Sequence, residues 1–210
     1  MNTIISLITL ALALTLALAM KPWRLLRHAG LISPLLASVV ITPWLWAMPW
    51  LHHMPLQLQL SGACLIALVL GWPLAVPVLC VVALIAGQLA ALPWAAQAEM
   101  ALWMGVLPAT LSTLLGIALR RCVRPHLFVY ILGRAFLGTV LCIFASGVLA
   151  QWLGGQQQLQ SVDGNLALVG RWLLAWGDGF MTGMVAAVCV AFKPQWLATW
   201  SDRLYLRPGN

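Results

Sequence analysis

Trp176-Gly177-Asp178-Gly179-Phe180-Met181-Thr182-Gly183-Met184 forms the centre of the last long apolar stretch of the chain, which covers about residues 166–192. A carboxylate in the middle of a membrane-crossing helix is disfavoured by at least ~2.5 kcal/mol on insertion scales, so such an acid faces a protein interior or a polar pathway. The rest of the chain decides whether this stretch crosses a membrane. Of the 210 residues, 63% are hydrophobic and only 7% charged, where a soluble domain carries about a quarter charged residues. Crossing a ~30 Å hydrocarbon core takes roughly 17 to 25 apolar residues. Seven runs qualify, at about 2–20, 31–51, 56–72, 74–92, 100–119, 127–150 and 166–192. The expectation is an all-α, polytopic membrane protein of about seven transmembrane helices, with residues 1–210 forming a single integral membrane domain. Gly71-Trp72-Pro73 divides the third run from the fourth, because proline lacks a helical donor and clashes with the preceding turn.

The net charge is +7, but the basic residues mark topology rather than a nucleic-acid surface. Lys21, Arg24 and Arg27 follow the first run, Arg120, Arg121 and Arg124 the fifth, and Lys193, Arg203 and Arg207 the seventh. In an alternating seven-span chain these places share one side, which the positive-inside rule assigns to the cytoplasm. The N-terminus is then outside, and residues 193–210 form a cytoplasmic tail. Glu99, Asp163, His52 and His53 fall in outer loops, and residues 154–160 form a polar, flexible one. His28 and His126 read as surface residues beside the basic clusters. The first run lacks a basic residue ahead of it and has three after it, which reads as a retained helix rather than a signal peptide. Tryptophans near run ends, among them Trp23, Trp44, Trp46, Trp50, Trp94, Trp152, Trp196 and Trp200, read as interfacial anchors.

Three charges lie inside runs: Arg134, Arg171 and Asp178. Both arginines are long enough to snorkel toward an interface, whereas Asp178 is not. Arg171 and Asp178 share a helix face, but seven residues separate them by about 10.5 Å, and Arg171 leans toward the helix N-terminus. Arg134 on the preceding antiparallel helix is the expected partner of Asp178. The pair can be read as a packing element or as part of a transport route.

A second constellation lies at the expected outer side: Met48, His52, His53 and Met54 at the end of the second run, with Met100 and Met104 at the start of the fifth. Imidazole suits nickel, cobalt, copper or zinc, and thioether suits reduced copper. Converging there, these groups would capture a transition metal as substrate. Interfacial histidines and core methionines are the alternative. Cys64, Cys80, Cys122, Cys142 and Cys189 are scattered singly and read as small hydrophobes rather than a disulfide frame. Small residues four apart, such as Ala13 and Ala17, permit a close helix contact, and Ala109, Thr113 and Gly116 form a similar face. No P-loop, dinucleotide fingerprint or nucleophile elbow is present, so energy would come from a gradient or a partner. No covalent cofactor and no enzymatic activity are expected, since no nucleophile is spaced beside a histidine.

Residues 57–92, with Ser61-Gly62-Ala63, Leu70-Gly71-Trp72 and Gly87-Gln88, resemble the central region of substrate-capture subunits of energy-coupling factor ABC transporters, the CbiM/NikM type for cobalt and nickel. The segment from Asp178-Gly179-Phe180 to Gly183-Met184, followed by Phe192-Lys193-Pro194-Gln195-Trp196 and Asp202-Arg203-Leu204-Tyr205-Leu206, is similar to the C-terminal end of short bacterial members. The resemblance implies an all-helical permease of a bacterial inner membrane, N-terminus outward. It also implies a transmembrane coupling protein and cytoplasmic ATPases as partners, with Ala13 and Ala17 as a candidate helix contact. In metal-specific members a histidine follows the initiator methionine. Asn2 stands there in this chain, and Gln57 or Gln59 falls where a further family histidine would lie. A non-transporting membrane scaffold or assembly factor and a gradient-driven secondary transporter are the competing readings.

Overall fold

The computed structural model describes residues 2–27, 29–51, 59–123, 126–153 and 164–201. Every regular element among them is helical: α1 (Asn2–Ala19), α2 (Ile32–Leu51), α3 (Ala63–Leu70), α4 (Trp72–Leu89), α5 (Trp94–Cys122), α6 (Val129–Trp152) and α7 (Gly164–Phe192), joined in part by 3-10 turns. Five of these, α2, α4, α5, α6 and α7, are long and apolar enough to cross a membrane, and α1 contributes a shorter apolar helix, Ile4–Ala19. This is the make-up of a multi-pass membrane protein, because only a helix satisfies all its backbone groups within one open segment in lipid.

The third run departs from expectation. Instead of a full span over 56–72, α3 has eight residues, about 12 Å of helix. It is the buried axis of the bundle, with Cys64, Ile66, Ala67, Leu68 and Leu70 in the interior and α4 and α5 packed along it. Residues 59–62 approach it without helical structure. Glycines flank it: Gly62 has φ 62° and Gly71 has φ 76° with ψ 156°. Both values are left-handed, and the second lies in a region essentially confined to glycine.

Two other helices carry π-helical turns, over Ala101–Val106 in α5 and over Val129–Leu137 in α6. Pro108 follows the first of these. It has no N–H for the carbonyl of Met104 four residues back, which leaves that carbonyl open to a tertiary donor.

The turns after α1, the start of α2, the C-terminal end of α5 and residues 193–200 gather at one end of the bundle. Lys21, Arg120, Arg121 and Lys193 are all at this basic end, as the alternation of runs requires. Residues 193–201 are not a free tail, however. Leu197 and Trp200 are buried in the main core, and the Trp200 ring meets Tyr130 edge-on at 4.8 Å.

Several smaller expectations change with the packing. Glu99 is in the first turns of α5, not in a loop. Trp46 is fully buried in the core rather than anchoring at an interface, because its indole finds a partner inside (below). Ala13 and Ala17 do form a close contact, but within this chain. Ala17 is buried with Val76 of α4 and Val106 of α5, and Ala13 packs beside them. Cys64, Cys142 and Cys189 are buried, Cys80 is half-buried and Cys122 is exposed, all as free thiols.

Candidate functional site: a half-helix capped by Asp178

Asp178 is the middle residue of the 29-residue α7, about 21 Å from either end, and it is 2% exposed. Its two carboxylate oxygens accept the N–H of Ser61 at 2.8 Å and of Gly62 at 3.0 Å. These are N–H groups that no helix of its own satisfies at the entrance to α3, where the helix dipole also favours negative charge. The acid is therefore a cap on the half-helix, supplied from a residue 117 positions away.

The non-helical approach to α3 is satisfied in the same way. Trp46 Nε1 donates to the Ser61 carbonyl at 2.9 Å, and Gln59 Nε2 donates to the Trp46 carbonyl at 3.0 Å, a reciprocal pair that ties residues 59–61 to α2. Ser61 Oγ donates to the Met104 carbonyl at 2.6 Å, the acceptor that Pro108 leaves open, and receives the N–H of Ala63 at 3.2 Å. Irregular backbone at membrane depth is tolerated only when it is buried in protein or lines a wet cavity. Here it is buried, and neither described cavity is lined by the carboxylate. One of about 250 Å³ has Ile5, Thr9, Leu102, Trp103, Leu107 and Leu149 among its walls. The other, of about 10 Å³, lies beside Arg120 and Arg134.

Helix geometry explains why Asp178 is capped by backbone and not by Arg134. A Cβ on Gly179 would stand 2.5 Å from Val140 Cγ2, so Gly179 is level with Val140, six residues or about 9 Å beyond Arg134, and Asp178 is one residue farther. Side chains lean toward the N-terminus of their own helix. In antiparallel α6 and α7 the two side chains therefore lean away from each other. Arg134 is buried against Gly116, where a Cβ would stand 2.5 Å from its Nε, and its Cζ is 5.7 Å from the Tyr130 ring centroid. Arg171 is half-buried and donates from Nη1 to the Gly147 carbonyl on α6 at 2.6 Å, apart from Asp178 as its rise requires.

The opposite end of α3 is capped as well. The last carbonyls of a helix lack intrahelical partners. Leu68 receives the Thr199 hydroxyl at 2.7 Å and its N–H at 3.4 Å, and Val69 receives the N–H of Ala198 at 2.8 Å. Thr199 is itself held by the Tyr130 hydroxyl at 2.9 Å and by Arg120 Nη2, which donates to its carbonyl at 2.8 Å.

The expected metal constellation is only partly within view. His52, His53 and Met54 lie outside the described residues. Met48 is 52% exposed near the end of α2, whereas Met100 is 1% exposed and belongs to the hydrophobic core, with Met104 packed against it. Met100 is thus a packing residue rather than part of a wet entrance. Among the described residues no three His, Cys, Asp or Glu side chains converge as a metal-ligand group. The chain matches no family model, no curated protein and no solved structure.

Ser61 and Gly62 were not legible as partners of Asp178. The local signal is a serine and a glycine directly before the apolar run of α3, a cap signature, but nothing local reveals which acid completes it.

Proposed function

We propose that the protein is the substrate-capture subunit of a membrane transporter for a small cation. The substrate class is a transition metal of the cobalt and nickel kind, or copper. It works with a transmembrane coupling protein and cytoplasmic ATPases in a bacterial inner membrane, crossing it about seven times with the N-terminus outside and the basic end in the cytoplasm. The observation that carries this reading is the discontinuous third segment, a half-helix whose N-terminus meets an acid at the middle of α7. Transport proteins build midplane sites from broken helices of this kind. The resemblance in residues 57–92 and 178–206 supplies the substrate class and the partners.

Purification from native membranes tests the assembly, and recovery of an ATPase pair with the chain is the expected result. Equilibrium binding of nickel, cobalt and reduced copper to the purified protein tests the substrate. His52→Ala/His53→Ala is expected to weaken binding at least tenfold, a loss of about 1.4 kcal/mol. Recovery of the chain alone, with no binding of any of the three metals, removes the reading.

One observation favours a second reading, a non-transporting scaffold: both oxygens of the nearly inaccessible Asp178 carboxylate are engaged by backbone N–H groups. On that reading Asp178→Asn lowers stability and nothing else. A variant that folds with wild-type stability yet loses uptake eliminates the scaffold.

A further inference from the structure

The two caps of α3 come from one continuous stretch of chain. Asp178 holds its N-terminal end and residues 198–199, just beyond the end of α7, hold its C-terminal end. Between the caps α3 has eight residues and a glycine of left-handed φ at each side, Gly62 and Gly71. A helix this short moves as a rod, since its internal hydrogen bonds have no alternative partner in an apolar interior. Glycine flanks let that rod tilt at little cost in its own backbone. Thr199 is the point where the rod meets the basic end. Its hydroxyl bonds Leu68 of α3, Tyr130 of α6 shares that hydroxyl, and exposed Arg120 of α5 holds its carbonyl.

We infer that residues 197–200 are a latch that sets the position of α3, so that whatever engages the basic end of the molecule is felt at the Asp178 cap. Leu197 and Trp200, buried in the core, anchor the two ends of the latch. When Thr199 lets go of Leu68, the C-terminal end of α3 keeps only the Ala198 N–H on the Val69 carbonyl. The rod then tilts, and the N–H bonds of Ser61 and Gly62 to Asp178 are strained with it. Both residues are tied to the first turn of the rod, by the Ile66 N–H on the Gly62 carbonyl at 3.0 Å and the Ala63 N–H on Ser61 Oγ at 3.2 Å. Arg120 is the exposed handle, since an anionic group at this surface would compete for its guanidinium and free the Thr199 carbonyl. The inference concerns only how the two ends of α3 are coupled, and it stands whatever the protein carries.

Cys64, in the first turn of α3 and fully buried, reports the N-terminal end, while half-buried Cys80 on α4, packed against the cluster of Ala17, Val76 and Val106, reports general loosening. The test is the rate at which N-ethylmaleimide labels each thiol in the full chain in lipid nanodiscs, with sites located by mass spectrometry. Thr199→Val keeps the side-chain shape and removes the hydroxyl. It is expected to raise Cys64 labelling at least tenfold and leave Cys80 within twofold of wild type. Arg120→Gln, an exposed substitution, is expected to act in the same direction, and carries the test if Thr199→Val does not fold. A smaller rise at Cys64, or an equal rise at Cys80, overturns the latch.

Discussion

At the scale of the residue, Asp178 changes from an anomaly in an apolar run to a component of backbone satisfaction. A buried donor left unmade costs about 1 to 3 kcal/mol. Asp178→Ala strands the N–H groups of Ser61 and Gly62 and is expected to destabilise by on the order of 2 to 6 kcal/mol. Asp178→Asn keeps one acceptor but turns an amide N–H₂ toward a backbone donor, so its expected loss is smaller yet clear. Denaturant unfolding in detergent, followed by tryptophan fluorescence, checks the order. Equal stability of wild type and alanine variant would show that the cap contributes nothing. The arginines teach a related lesson. Arg171 and Arg134 both lie inside apolar runs, yet Arg171 is held by a carbonyl of the neighbouring helix and Arg134 by the gap at Gly116 and the face of Tyr130.

At the scale of the element, α3 depends on its flanking glycines. Alanine at Gly62 meets nothing within 4 Å, and at Gly71 its nearest neighbour is 3.8 Å away, so backbone conformation alone sets the cost. Gly62→Ala enters the left-handed helical region at about 1 kcal/mol. Gly71→Ala enters a region nearly closed to other residues, at about 1 to 3 kcal/mol. Thermal melts should therefore rank Gly71→Ala below Gly62→Ala, and the reverse order would contradict the backbone argument. The contact of α6 with α7 gives a steric counterpart. A methyl at Gly179 would stand 2.5 Å from Val140 Cγ2 and 3.2 Å from the Phe136 carbonyl. Gly179→Ala must push the helices apart, with an expected loss of about 1 to 3 kcal/mol, readable as a lower unfolding midpoint.

Most elements were legible because a membrane helix is written locally, as a run of apolar residues. The expected runs at 31–51, 127–150 and 166–192 fall within two residues of α2, α6 and α7. The start of α5 was missed by six residues because Glu99 and Gln97 read as loop. Inside the bundle Gln97 instead donates to the Leu92 carbonyl at 2.8 Å, which lowers the penalty for a polar side chain there although its Oε1 has no partner. The third run failed for a deeper reason. Ser61 and Gly62 carry a local cap signature, but the backbone of 59–62 is drawn out of helix by Trp46, Met104 and Asp178, which no local pattern names.

At the scale of the whole molecule, the gathering of basic turns at one end gives the proposed orientation a direct check. Cys122 is exposed and adjoins Arg120 and Arg121 at that end. A membrane-impermeant maleimide should label Cys122 in inverted vesicles and spare it in intact cells. Labelling from outside would reverse the proposed topology.

By itself the sequence determined that this chain is an all-helical membrane protein, and that an acid stands in the middle of its last long helix. Both follow from the order of apolar and charged residues along one stretch, since transfer into lipid is a property of each stretch alone. Only the tertiary structure decided that the third segment is a half-helix, that the Asp178 carboxylate closes its N-terminal end and that Thr199 closes the other. Those outcomes depend on which unsatisfied backbone groups meet which side chains once the helices pack, and residues 117 and 131 positions apart carry no mark of that meeting beforehand.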